Sequence, residues 1–173
     1  IAYIDGDVTV EPSDVLPQIH AAVKKACAQH NLAIPLVSLE PGRNIVGPTM
    51  FTLYEVGTVK DVVVGGGKIR KYVSVDGGMS DNIRPSLYGA EYFALLADRI
   101  STSTQVLSRV VGKHCETGDI VIRDISLPSD IAPGDLLATP ATGAYGRSMA
   151  SNYNHVPRPP VVAIKNGKAR VIV

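Results

Sequence analysis

Beyond Pro48 the apolar residues no longer recur at helical intervals; they gather into short runs rich in Val, Ile, Tyr and Leu. The runs cover 51–56, 59–64, 69–75, 105–111, 120–125, 136–138, 161–165 and 169–173, and each reads as a strand. Gly65-Gly66-Gly67 and Asn166-Gly167 lie between neighbouring runs as turns. Asn-Gly is a strong two-residue hairpin signal, because both positions accept positive φ. Many short strands with turn punctuation predict a mainly β domain, an antiparallel β-barrel or sandwich.

The residues before Pro48 follow a different pattern. Between Asp14 and His30, apolar side chains fall at Val15, Leu16, Ile19, Val23, Ala26 and Cys27, a helical spacing that leaves Gln18, Lys24, Lys25 and Gln29 on the other face. Asp14 is the expected N-cap, Pro17 then falls in the first turn, and Asn31 suits a left-handed stop. The apolar run at 34–39 reads as a buried strand, and Ile1-Ala2-Tyr3-Ile4 as a strand entered mid-stream. Strand, helix and strand make a parallel α/β unit, which cannot bury both its faces alone. Residues 1–48 are therefore expected to be the last α/β segment of a larger sheet or (β/α)8 barrel, cut from a longer protein, with an apolar helix face left exposed. Residues 49–173 are expected to form the β-domain.

Composition removes several function classes. The formal net charge is +1 and the 17 Lys and Arg are scattered, so no nucleic-acid footprint is expected. No apolar run approaches the roughly 18 residues of a membrane span, and the start lacks a signal-peptide pattern. Cys27 and Cys115 are too far apart to form a metal-ligand pair, and no metal site is expected. A cytoplasmic, reduced protein fits this usage.

Polar residues concentrate in four loops. Glu40-Pro41-Gly42-Arg43 follows the 34–39 run; at a strand end it can offer a carboxylate to a cationic ring nitrogen and a guanidinium to an anion, or be a Pro-Gly turn with a local ion pair. Residues 76–82 (DGGMSDN) are followed by Arg84 and Tyr88, four apart and on one face if helical; Arg84 can grip a carboxylate, or be a solvated residue of a glycine-rich connection. His114-Cys115-Glu116-Thr117-Gly118-Asp119 places a thiol among a His and carboxylates in no zinc pattern; Cys115 can donate a proton and Glu116 can hold an ammonium group. Tyr145, within Thr142-Gly143-Ala144-Tyr145-Gly146-Arg147, reads as a hydroxyl set on a tight turn. Cys27, on the apolar helix face, is expected in a core, and His20, His30 and His155 on the surface.

Taken together and in this order, EPGR at 40–43, VDGGMSDNIRPSLYGA at 75–90, GKHCETGD at 112–119 and ATGAY at 141–145 resemble the diaminopimelate decarboxylases, of the alanine racemase and ornithine decarboxylase fold type. The resemblance implies a homodimer of (β/α)8 barrel plus β-domain subunits, with pyridoxal 5'-phosphate as cofactor and meso-diaminopimelate as substrate. It implies that Glu40 pairs with the cofactor's ring nitrogen and that Gly42, Arg43 and Tyr145 lie against the cofactor. Arg43, Arg84, Tyr88, Glu116 and Tyr145 would touch substrate, with Arg84 and Tyr88 on its distal carboxylate and Glu116 on its distal ammonium. Cys115 would protonate the carbon that loses CO2, and its loop would reach the neighbouring subunit's site. The lysine that binds the cofactor covalently and the glycine-rich phosphate loop are absent from these residues, so this segment alone is expected to be inactive. A stand-alone β-domain for dimerisation or binding, and a same-fold decarboxylase or racemase of another amino acid, are the competing readings.

Overall fold

The computed structural model describes residues 1–4 and 6–173. Helix α1 runs from Pro12 to Gln29, starting three residues earlier than the Asp14 cap predicts, because Pro12 occupies its first turn and Glu11 precedes it with extended backbone. Pro17 thus lies inside the helix rather than in its first turn. The chain leaves α1 through Asn31 at φ 53°, the left-handed stop expected there. Cys27 is the one buried residue of α1; Val15, Ile19 and Val23 are half-buried.

Neither predicted strand of the first 48 residues forms. Residues 34–39 are irregular and exposed, Leu36 almost completely (96%). Residues 1–4 instead bend, with the Tyr3 and Ile4 amides donating to the Asp7 carboxylate. The physical reason is the same for both. A strand is stabilised by the ladder of a neighbour, and among the described residues no strand pairs with these. A short helix, α2 (Gly42–Val46), and a 3-10 turn (Gly47–Thr49) then lead into the sheet.

The β region agrees with the predicted runs, except that two of them merge into one strand. β1 (Phe51–Val64) joins the runs 51–56 and 59–64 through a bulge at Gly57-Thr58, where the Ser74 hydroxyl accepts from the Thr58 amide and donates to the Thr58 carbonyl. The bulge bends one strand so that its first half pairs with one neighbour and its second half with another. The remaining strands are β2 (Lys68–Val75), β3 (Leu95–Leu96), β4 (Gln105–Val111), β5 (Ile120–Pro128) and β6 (Leu136–Pro140). They form a six-stranded sheet ordered β3-β6-β1-β2-β4-β5. β7 (Val162–Lys165) and β8 (Lys168–Val171) make a separate hairpin through Asn166-Gly167, both at positive φ as predicted.

The fold is mainly β, but the sheet is mixed rather than antiparallel. β2 and β4 run parallel, in register Ser74 with Val111. Parallel neighbours need a long crossover, here residues 76–104 with helix α3 (Arg84–Tyr88), and no local signal marks which strand will receive such a connection. The core packs inside the curled sheet around Tyr54, Val56, Val73, Val110, Leu127 and Leu137. No helix of the described residues is long and apolar enough to cross a membrane.

Candidate functional site

The parallel β2–β4 pair decides the geometry of the site. Two parallel neighbours end at the same sheet edge, so the segment after β2 (76–88) and the loop after β4 (112–119) emerge side by side. Antiparallel pairing would have sent them to opposite edges. The two segments are then sewn together: the Lys113 amide donates to the Gly77 carbonyl (3.0 Å) and the Ser86 hydroxyl to the Gly118 carbonyl (2.5 Å).

Asp119 is the main fastener. Its buried carboxylate accepts from the Met79 amide (2.6 Å) on one segment and the His114 amide (2.7 Å) on the other. A Cβ at Gly78 would stand 2.5 Å from this carboxylate, and one at Gly112 would collide with it, so both glycines are required by close approach. Buried His114 bonds through Nε2 to the Ser80 hydroxyl (2.8 Å). Asp81 accepts from the Tyr54 hydroxyl (2.5 Å) and the Gly78 amide (2.6 Å). Burial raises the Asp81 carboxyl above its ordinary range and, with Asp81 beside it, pushes the Tyr54 phenol well up. Polar groups this well satisfied hold shape rather than do chemistry.

One cluster of predicted residues assembles around aromatic rings. Arg84 opens α3 and is buried, yet no carboxylate pairs with it among the described residues. Its Nη1 donates to the Tyr92 hydroxyl (2.7 Å). Its guanidinium carbon lies 4.9 Å from the Tyr3 ring centre, 5.8 Å from that of Tyr92 and 5.6 Å from that of Tyr145. Burial by itself would lower the Arg84 pKa, but Tyr92 and Tyr3 outweigh it and the group stays above its ordinary value, hence charged. Arg43 lies over the same Tyr3 ring at 6.0 Å. Two guanidinium groups lie around one ring, with no carboxylate on either among the described residues, an arrangement chemically suited to an anion.

Tyr145, at φ 65° and half-exposed, closes the third side of the Arg84 cage. Tyr88 shares α3 with Arg84 but is 65% exposed and stands outside the cage. Glu40, just before α2, and Gly42, at its start, are exposed, and the Glu40 carboxylate makes no side-chain bond among the described residues. Cys115 and Glu116 project from the 112–119 loop and are both exposed. Glu116 Oε1 accepts from the Tyr153 hydroxyl (2.5 Å). Tyr3, Tyr92 and Tyr153 have no motif in the sequence to flag them. Tyr3 and Tyr153 join the site through residues distant along the chain, and Tyr92 through Arg84 eight residues before it. Among the described residues no group of three or more His, Cys, Asp or Glu can hold a metal ion.

Residues 48–143 match the family described as pyridoxal-dependent decarboxylase, C-terminal sheet domain, and the chain belongs to that family. Several similar relatives are diaminopimelate decarboxylases. All 173 residues are 50% identical to a diaminopimelate decarboxylase of Mycobacterium tuberculosis, covering 39% of its length, and 46% identical to that of Bacillus subtilis, covering 38%. The chain thus spans about two fifths of the curated relatives it matches. Among solved structures, diaminopimelate decarboxylase from Helicobacter pylori complexed with L-lysine superposes with a TM-score of 0.77 at 33% identity, over 96% of this chain and 38% of that one. The M. jannaschii enzyme in co-complex with L-lysine gives 0.82 at 29% identity, over 98% and 37%.

Proposed function

We propose that the complete protein is a diaminopimelate decarboxylase, which removes CO2 from meso-2,6-diaminopimelate to leave L-lysine, and that this chain supplies the substrate-reading part of its site. Residues 1–48 are then the closing segment of a cofactor-binding barrel and 49–173 the sheet domain. The observation that carries the reading is the opposite charge of two prepared binders. Arg84 is buried in an aromatic cage without a counter-ion, and Glu116 is a carboxylate held by one oxygen with the other open among the described residues. Meso-diaminopimelate has a second carboxylate and a second ammonium beyond the reacting centre, and needs one partner for each. A decarboxylase of a simple diamino acid needs only the ammonium binder, so Arg84 is the residue that argues for this substrate. The 50% identical relatives and the lysine-bound structures support the same substrate.

The residues also suit the family's cofactor. Glu40 and Arg43 are exposed and unpaired by any ion among the described residues, and a Cβ at Gly42 would meet nothing within 4 Å, so the EPGR turn has free charge and free space. Glu40 would hold the ring nitrogen protonated, while Arg43 and Tyr145 would lie against the phosphate and substrate. The bound cofactor would supply the electron sink for loss of CO2. Tyr88 would add a hydroxyl to the Arg84 carboxylate site. Cys115 would deliver a proton to the substrate carbon, in the site of a second subunit of a homodimer. The exposure of Cys115 and Glu116 on a loop anchored by Asp119 agrees with a loop that reaches outward.

The test is to express the complete reading frame, load it with pyridoxal phosphate, and assay lysine and CO2 from meso-diaminopimelate. Turnover is expected, and a folded, loaded protein that makes no lysine overturns the reading. Arg84→Ala should lower kcat/KM for this substrate on the order of 100-fold, since a charge left without its buried partner is heavily penalised. An unchanged value would reassign the protein to another amino acid. The present 173 residues alone should show no lysine labelled by borohydride in the presence of cofactor.

A further inference from the structure

The hydroxyl of Tyr153 lies 2.5 Å from Glu116 Oε1, although the two residues are 37 apart in the chain. No other side chain among the described residues bonds the Glu116 carboxylate, so one oxygen is held and the other is presented. We propose that Tyr153 is a positioning residue for Glu116, fixing the carboxylate that receives the substrate's distal ammonium group and thereby setting affinity for a substrate with two amino-acid heads. The inference rests on the reading of Glu116 given above.

The surroundings of Tyr153 are built to hold its ring. His114, two residues before Glu116, meets it edge-on with ring centres 5.3 Å apart and planes at 75°. His114 is itself buried and tied through Nε2 to the Ser80 hydroxyl. The Ser80 carbonyl accepts from the Ser151 amide (2.8 Å), and the Ser151 hydroxyl accepts from the Tyr153 amide (3.3 Å). The loop bearing Glu116 and the segment bearing Tyr153 are therefore both anchored on Ser80. The chain past Tyr153 turns through Asn154 and His155 at φ 53° and 59°, an uncommon left-handed pair.

An exposed glutamate on a loop has several rotamers to lose when it binds an ammonium group. A hydrogen bond that selects one of them beforehand removes that loss. The Glu116 bond also holds the Tyr153 phenol above its ordinary pKa, so it remains a proton donor throughout the neutral range. Tyr153 gives no proton to substrate in this role. It acts through the carboxylate, and phenylalanine would keep the ring against His114 while removing only the donor.

The experiment uses the full-length, cofactor-loaded protein. Tyr153→Phe should raise KM for meso-diaminopimelate about five- to tenfold, in the range of one ordinary net hydrogen bond, with kcat within about twofold. Cofactor absorbance and Tm should stay unchanged. In a Glu116→Gln background the same substitution should shift KM by less than about twofold. An unchanged KM in the single variant, or the same penalty in both backgrounds, overturns the inference. If the parent protein does not turn over meso-diaminopimelate, the functional reading fails and the positioning role is decided by crystallography. Glu116 should occupy one rotamer in the parent and several in Tyr153→Phe, and one shared rotamer in both sinks the proposal.

Discussion

The first fifty residues and the curled sheet have similar apolar content, yet they use it in opposite ways. Val8, Leu32, Ile34, Leu36 and Ile45 are all more than half exposed, and α1 buries only Cys27. In the sheet, Val73, Val110, Leu127 and Leu137 are at most 1% exposed. The difference teaches that amphipathic pattern defines a face but does not supply its cover. The strands find cover in each other, because β1 to β6 are all present and curl around one core. The helix and the 34–39 run have no comparable neighbour. The candidate site follows the same division. Its members on the segments that follow β2 and β4, Arg84, His114 and Asp119, are buried and bonded, while Glu40 and Gly42 stand free among the described residues.

The sharpest way to break this comparison is to shorten one leucine in each region. Leu137→Ala should cost about 2–5 kcal/mol in urea unfolding, as a large side chain removed from a full core does. Leu36→Ala should stay within about 0.5 kcal/mol. Equal losses would mean that the first region is covered after all.

A smaller effect is expected at the joint between the two regions. The Gly143 amide donates to the Gly47 carbonyl at 3.1 Å, and a Cβ at Gly143 would run into the Val46 carbonyl. The obstacle is backbone, so Gly143→Ala must push residues 46–47 away. About 1–3 kcal/mol of destabilisation is expected, with faster proteolysis around residues 42–50. Unaltered cleavage there would show that the first region is not seated on the sheet through this contact.

The mildest effect concerns acid. Asp130, between β5 and β6, is held down to about 2 by the Ser101 and Ser103 hydroxyls and by Arg99. Arg99 lowers Asp135 as well, through a bidentate pair. A carboxyl whose folded pKa lies below its unfolded value of 3.8 stabilises the fold above that value and loses the contribution as pH falls towards 2. The sheet should therefore weaken between about pH 4 and pH 2, and Asp130→Asn should flatten the decline. Parallel pH profiles for the two proteins, followed by circular dichroism, would remove Asp130 from the account.

Much of this molecule is legible along the chain. Val-rich runs and the Asn166-Gly167 turn mark nearly every strand of the β region, because period and turn chemistry are local properties. Cys27 on the apolar face of α1 is buried as its position implies, and Asn31 takes the left-handed stop. Glu40, Arg43, Arg84, Tyr88, Cys115, Glu116 and Tyr145 can be singled out by loop composition and family resemblance. Their arrangement cannot, since that depends on which strands become neighbours. The short β3 at Leu95–Leu96 escapes notice because two residues carry no period.

What the sequence determined alone is therefore the kind of structure and the kind of chemistry: a mainly β chain preceded by an amphipathic helix, with opposite charges waiting in separate loops. Only the tertiary structure decided that β2 and β4 lie parallel, which brings segments 76–88 and 112–119 to one edge. Only there do Tyr3, far along the chain, and Tyr92, just past Arg84's motif, close over its guanidinium, and Tyr153 find Glu116. Local patterns record what each residue prefers to neighbour. Long-range pairing is chosen by the closure of the whole core, in which no single residue carries the decision.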